Sequence, residues 1–348
     1  MIFRLIQIAA LASVIGAASP MLFAQDAATP PPANPQMKAI LDQLQAKGGK
    51  PIETLSANEA RQQPSPSDAV KDVMMKKTGQ AQPEAVAKVQ DLMIDGANGK
   101  IAARVYTPAG SGPMPVIVYY HGGGFVIATN DTYDATPRAL ANQAKAIVIA
   151  VEYRKAPENK FPAAHDDAFA AYQWTLKNAA SMGGDPKRVA VAGESAGGNL
   201  ALNVAIAARE RGVILPIHEL LVYPLAGTNM NTASYQQNAN AKPLNKPEMG
   251  WFMKNYTRSP QDAQDPRLNL LQADLHGLKP ATIITAQIDP LNTEGKELAD
   301  RMKAQGVSVN YKNYPGVTHE FFGMGSVLDE AKDAQRVAAS DLRDAFSG

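Results

Sequence analysis

Residues 188–202 read RVAVAGESAGGNLAL. The apolar run Val189–Ala192 ends at Gly193, and Ser195 stands between Gly193 and Gly197 before the pattern turns helical. A short apolar run bounded by glycine fits a buried strand, and the residues from about 199 to 211 fit a helix. The G-x-S-x-G spacing between them is that of a sharp strand–turn–helix elbow, which lifts a serine hydroxyl above the strand end. A helix beginning near Gly198 also aims unpaired backbone N–H groups at that spot. A glycine-rich turn with an idle serine, or a phosphate-binding loop, would use similar residues. GESAGG lacks both the lysine of a P-loop and the G-x-G-x-x-G spacing of a dinucleotide fold. Ser195 is therefore a candidate nucleophile, and its case depends on partners elsewhere.

Outward from this elbow, apolar runs alternate with helical stretches. The runs are PVIVYY, AIVIAVEY, RVAVAG, HELLVYP, PATIITAQID and VSVNYKNYP, with helices expected near 134–144, 162–180, 199–211, 293–305 and 328–346. Continuous apolar strands alternating with helices predict a mostly parallel sheet covered on both faces. VQDLMI and GKIAARVYTP, separated by Asp95-Gly96-Ala97-Asn98, predict an antiparallel hairpin at one edge.

The chain has 348 residues, 45% of them hydrophobic and 19% charged, with a net charge of +1. That composition is globular, and the balance of charge gives no reason to expect nucleic acid or an anionic membrane surface as partner. Residues 1–24 have the shape of a secretory signal peptide: a basic start (MIFR), an apolar run from Leu5 to Ala18, and a small residue, Ala24, before a polar one. The run is shorter than the roughly 20 residues of a spanning helix, so export and cleavage near Ala24 is expected rather than a stable membrane anchor. There are no cysteines, hence no disulfides. Residues 25–36 read as a Pro-rich linker. Residues 37–88 begin with a helical face of Met37, Ile40, Leu41 and Leu44, and Ser56-Ala-Asn-Glu59 has capping-box spacing.

A serine nucleophile needs a base, an acid and donors for an oxyanion. Strand PVIVYY runs into His121-Gly122-Gly123-Gly124-Phe125. Glycines at a strand's carboxyl end present backbone N–H groups unobstructed, so Gly123 and Gly124, with the N–H of Ala196, are the candidate donors. Among the five histidines, His121 reads as a tie for this loop, His165 as a partly exposed helix residue, and His218 and His276 as unremarkable. His319 differs: Pro315 and Gly316 predict a loop at the carboxyl end of the last strand, where catalytic groups gather in open parallel sheets. Asp289 stands at the carboxyl end of the preceding strand. The order Ser195, Asp289, His319 is the nucleophile–acid–histidine order of the α/β-hydrolase plan. Asp166 and Asp167 suggest a metal pair, but neighbours on a helix point to different sides. No metal or cofactor is expected.

The sequence resembles the hormone-sensitive-lipase-like (bacterial family IV) esterases of the α/β-hydrolase superfamily from Leu55 to near the C-terminus. The resemblance rests on HGGGF at 121–125, EYRKAPE at 152–158, FPAAHDDA at 161–168, GESAGGN at 193–199, DPLNTEG at 289–295 and YPGVTHEFF at 314–322. It implies an α/β-hydrolase catalytic domain over 89–348, with a helical cap formed by the N-terminal helices and an insertion at about 226–265. It also implies a Ser195–His319–Asp289 triad, an oxyanion hole at Gly123, Gly124 and Ala196, and hydrolysis of short- to medium-chain acyl esters. Two positions depart from the family's pattern: Thr293 stands where Asp is common, and Glu320 where Gly follows the histidine. An amidase or deacetylase would use the same triad, and a non-catalytic receptor on this fold would lack a triad residue. The oligomeric state is not legible.

Overall fold

The computed structural model describes residues 30–348; the expected signal peptide and the first residues of the expected linker lie outside them. Three short helices come first. Helix α1 (Pro35–Ala46) starts where the Asn34 side chain accepts from Met37 N–H (2.8 Å), with Pro35 at a position whose N–H would be unpaired anyway. The expected linker thus ends slightly earlier than residue 36. The Ser56–Glu59 capping box forms, but Gln63-Pro64 follows and α2 (Ala57–Ala60) is a single turn. Helix α3 (Pro66–Thr78), not anticipated from the sequence, starts at a second box, Ser65–Asp68, and ends at Gly79 with φ 70°. Its buried residues, Ala69, Val70 and Val73, are too few and small to make a clear stripe.

Strands β1 (Lys88–Gly96) and β2 (Gly99–Thr107) form the expected hairpin, with Gly96 opposite Gly99. Then follow β3 (Met114–Tyr120), α4 (Ala135–Ala144), β4 (Ile147–Val151), α5 (Ala163–Asn178), β5 (Gly184–Glu194), α6 (Ala196–Glu210) and β6 (Glu219–Val222). After β6 the chain makes α7 (Ala233–Gln237) and α8 (Lys246–Tyr256) within the expected insertion. It closes with β7 (Ala281–Ile288), α9 (Asn292–Ala304), β8 (Val309–Thr318) and α10 (Asp329–Ser347). The eight strands make one sheet in the order β1-β2-β4-β3-β5-β6-β7-β8, in which only the pairings of β2 are antiparallel.

Alternation along β3 shows why the sheet is buried twice. Val116, Val118 and Tyr120 join the core under α5, α6 and α9, whereas Ile117 and Tyr119 join the core under α4 and α10. All five are at most 1% exposed, and burying one such aliphatic side chain contributes roughly 1.5–3 kcal/mol. One expectation is corrected here. Pro315 and Gly316 do not end the last strand: β8 runs through them to Thr318, with an irregularity in its pairing to β7. A strand at the sheet edge tolerates a residue without an N–H, because one side needs no ladder bond. His319 thus follows directly on a strand end.

Candidate active site

The turn between β5 and α6 is as tight as its glycines predicted. A Cβ on Gly193 would lie 2.1 Å from the Gly197 oxygen, and one on Gly197 would lie 1.9 Å from the Tyr120 oxygen. Backbone cannot yield at such distances, so both positions require glycine. Ser195 itself sits at φ 57°, ψ −119°, a sparsely populated conformation held by Ser195 N–H to Val222 O (2.9 Å) and Leu225 N–H to Ser195 O (3.1 Å). The helix begins at Ala196, two residues before the expected start, so its first N–H groups stand beside the hydroxyl.

The structure brings Ser195, His319 and Asp289 together. His319 Nδ1 lies 2.7 Å from Asp289 Oδ2, and its Nε2 lies 2.9 Å from Ser195 Oγ. A carboxylate cannot donate, so the ring proton is on Nδ1 and Nε2 is left to accept from the serine hydroxyl. Asp289 is fully buried, and its other oxygen accepts from Leu291 N–H (2.8 Å). Burial disfavours the His319 imidazolium, but Asp289, with Glu320 and Glu194, outweighs it and holds the histidine above its ordinary pKa.

Opposite Ser195, Gly123 (φ 96°) and Gly124 (φ 57°) turn in left-handed conformations, and neither N–H has a partner among the described residues. His121 anchors this loop as expected. Its ring is buried, stacks on Tyr153 (4.4 Å between centroids) and places Nδ1 2.7 Å from Gly122 O. These groups face a cavity of about 950 Å³ whose wall includes Leu41, Ile52, Leu244, Met249, Phe252 and Met253. Both the N-terminal helices and the 226–265 segment therefore line it.

The sequence also matches, over residues 117–323, the family model described as alpha/beta hydrolase fold. The chain belongs to the α/β-hydrolase-fold family. Its likeness to the hormone-sensitive-lipase-like branch is borne out by its relatives. It is 40% identical over 239 residues to carboxylesterase NlhH of Mycobacterium tuberculosis, covering 67% of this chain and 75% of that protein. It is 34% identical over 310 residues to an ethyl acetate hydrolase of Pseudomonas putida, covering 86% and 95%. Among solved structures, it resembles a hyperthermophilic esterase from Pyrobaculum calidifontis. That match has a TM-score of 0.82 and 37% identity, covering 90% of this chain and 99% of that one.

Several residues of this hydrolase's site were not singled out from its sequence. Arg61 uses all five of its donors: Nε to Val126 O (2.8 Å), Nη2 to Ala156 O (2.7 Å), a forked pair with Glu158 (2.8 and 2.7 Å), and Nη1 to Asn58 (3.0 Å). It staples α2 to the glycine loop. Trp251 Nε1 donates to Leu55 O (2.9 Å), tying α8 to the same N-terminal segment.

His165 is a correction. It is 6% exposed rather than partly exposed, bonded to Tyr256 Oη (2.8 Å) and Asn199 Oδ1 (2.9 Å) beneath the elbow helix, and burial lowers its pKa to about 4. The stripe Phe161, His165, Ala168, Phe169 and Tyr172 at helical spacing was the available signal. Asp167 is likewise structural, gripping Arg154 Nε (2.7 Å) and Ala97 N–H (3.0 Å). Thr293 exchanges hydrogen bonds with Ser234 (3.1 Å each), docking α7 onto α9.

Two further carboxyl groups act on the imidazole. Glu194 is buried and accepts from Tyr119 Oη (2.5 Å) and from Tyr223 Oη; burial, then the charge of Glu320, pushes it up to about 7. Glu320 accepts from Tyr133 Oη (2.6 Å), and burial raises its pKa as well. Beneath the acid, Glu294 accepts from the N–H groups of Ala226 (2.8 Å) and Gly227 (3.2 Å).

Proposed function

We propose that this protein is a serine carboxylesterase acting on short- to medium-chain acyl esters. The observation that carries the reading is His319 bridging Ser195 (2.9 Å) and Asp289 (2.7 Å) opposite the unpaired N–H groups of Gly123 and Gly124. The names of the relatives support the same bond class.

His319 Nε2 takes the hydroxyl proton as Ser195 Oγ attacks the ester carbonyl carbon. Asp289 orients the ring and stabilises its cationic form. The carbonyl oxygen becomes an oxyanion bound by Gly123, Gly124 and Ala196, each donor contributing on the order of 10²–10³ in rate. His319 then returns the proton to the leaving alcohol, and water resolves the acyl-enzyme by the same steps in reverse roles. The apolar wall of Leu244, Met249, Phe252 and Met253 takes the acyl chain, and α8 with the N-terminal helices acts as the cap.

The test is hydrolysis of p-nitrophenyl butyrate by protein free of host enzymes. Ser195→Ala and His319→Ala should lose activity about equally, and the double variant should lose little more, because the pair acts as a unit. A serine-directed phosphonate should label Ser195 in the wild type and leave the folded alanine variant untouched. Wild-type activity in Ser195→Ala, or label on another serine, overturns the reading.

A further inference from the structure

Glu320 has no place in the triad, yet the chain holds it in a conformation that disfavours any residue with a Cβ (φ 72°, ψ 0°). Such an outlier beside reacting groups points toward function. Its carboxylate lines the cavity, where the side chain keeps 21% exposure. Tyr133 Oη fixes Oε1 from one side at 2.6 Å, and that hydroxyl is itself lodged against Gly122, where a Cβ would come within 2.2 Å of it. Oε1 lies 3.9 Å from His319 Nε2. That is too long for a direct hydrogen bond and suits one molecule between: a water about 2.8 Å from each atom would subtend roughly 90°, near its own bond angle.

We propose that Glu320 is a further catalytic residue, which together with His319 holds the water that resolves the acyl-enzyme. This rests on the esterase reading. Once acylated, Ser195 Oγ has no proton to donate, and Nε2 is free to accept from water. One O–H of the water points to Nε2 and the other to Glu320, leaving an oxygen lone pair for the acyl carbon. The new C–O bond forms, the first proton passes to Nε2, and the carbonyl oxygen becomes the bound oxyanion. On collapse the C–Oγ bond breaks, Oγ takes the proton from His319, and the carboxylic acid leaves. An alcohol has a single O–H, which Nε2 takes, so it gains nothing from Glu320. The residue therefore favours water over alcohol as acyl acceptor.

The experiment is stopped-flow turnover of p-nitrophenyl butyrate, with and without added methanol, in the wild type, Glu320→Gly, Glu320→Gln and Tyr133→Phe. Glycine suits the local φ, so the first variant removes the carboxylate and relieves the backbone together. Glu320→Gly should leave acylation within about threefold and slow deacylation roughly ten- to a hundredfold, the range for losing a hydrogen bond to a charged group. A burst approaching one nitrophenol per active site follows, and the ratio of methyl butyrate to butyrate should rise about tenfold. Glu320→Gln, which keeps an acceptor, and Tyr133→Phe, which frees the carboxylate, should fall between. Equal slowing of both half-reactions, or an unchanged water-to-methanol partition in Glu320→Gly and Glu320→Gln, overturns the proposal. A wild type without turnover or phosphonate label at Ser195 overturns the esterase reading itself.

Discussion

Arg61→Met removes a guanidinium while keeping most of its stem, and the structure sets the size of the effect. The forked pair with Glu158 contributes little, about 0–1 kcal/mol, because Glu158 is 51% exposed. The bonds to Val126 O and Ala156 O have a charged donor, which alone would make each about 1.5–3 kcal/mol. Arg61 is itself 22% exposed, so water replaces part of this and the low end applies. The sum is about 3 kcal/mol, a fall in Tm of roughly 4 °C for a chain of this size. Stability is only half of the expectation. Val126 N–H closes on Gly123 O (3.0 Å), so the carbonyl that Arg61 holds belongs to the turn that aims the N–H groups of Gly123 and Gly124, the proposed oxyanion donors. Donors that act on the transition state affect kcat more than KM, and losing one costs up to 10²–10³. Arg61→Met should therefore lower kcat at least about tenfold with KM within about threefold, and Arg61→Lys should recover part of it. Calorimetry and steady-state hydrolysis of p-nitrophenyl butyrate read both. A lowered Tm with unchanged kcat refutes the link between α2 and the glycine loop.

Other perturbations probe charge and shape. As the proposed base His319 must be neutral to act, so kcat/KM should fall with acid through a pKa above 6.5. Glu320→Gln, by removing a carboxylate that raises that pKa, should move the acid limb of the profile to lower pH. Burial pushes Glu294 up to about 8, so the fold keeps a proton that the unfolded chain releases near 4.5, and stability should decline between those values. Glu294→Gln leaves an unpaired amide donor at every pH but removes the titration, so its Tm should vary less than the wild type's from pH 5 to 8.5. Phe252→Ala opens the cavity wall and should shift the preferred acyl chain to greater length, read from a nitrophenyl ester series; an unchanged profile would place the acyl chain elsewhere.

Much of this site was legible because its parts are local. An apolar strand followed by Gly193 and Gly197, or by Gly122–Gly124, carries its geometry within a few residues, and the strand ends that carry Asp289 and His319 follow from alternation. What stayed hidden depends on distance. The five hydrogen bonds of Arg61 reach three separate stretches of chain, with Glu158 97 residues away. Tyr133 meets Glu320 across 187 residues. Nothing local announces that Glu320 adopts a left-handed conformation, or that β8 runs through Pro315 because the sheet ends there. His165 is the intermediate case: its helical stripe was visible, but the partners that bury it, Tyr256 and Asn199, lie 91 and 34 residues away.

The docking of α1 onto β8 gives this enzyme a timetable. Asn34 N–H bonds to Gly316 O (2.8 Å), and Met37, buried, receives the Thr318 hydroxyl on its sulfur (3.6 Å) one residue before His319. Synthesis runs from the amino end, so α1 emerges long before the strand that covers it. Ser195 and His319 are 124 residues apart, which at 5–20 residues per second separates the proposed nucleophile from its proposed base by about 6–25 s. Once Val222 and Leu225 have followed Ser195, the nascent chain can carry a held elbow but still no base, while its first helix packs on α3 without its strand partner. The proposed base and the last contacts of that helix arrive in the same event, the addition of one edge strand.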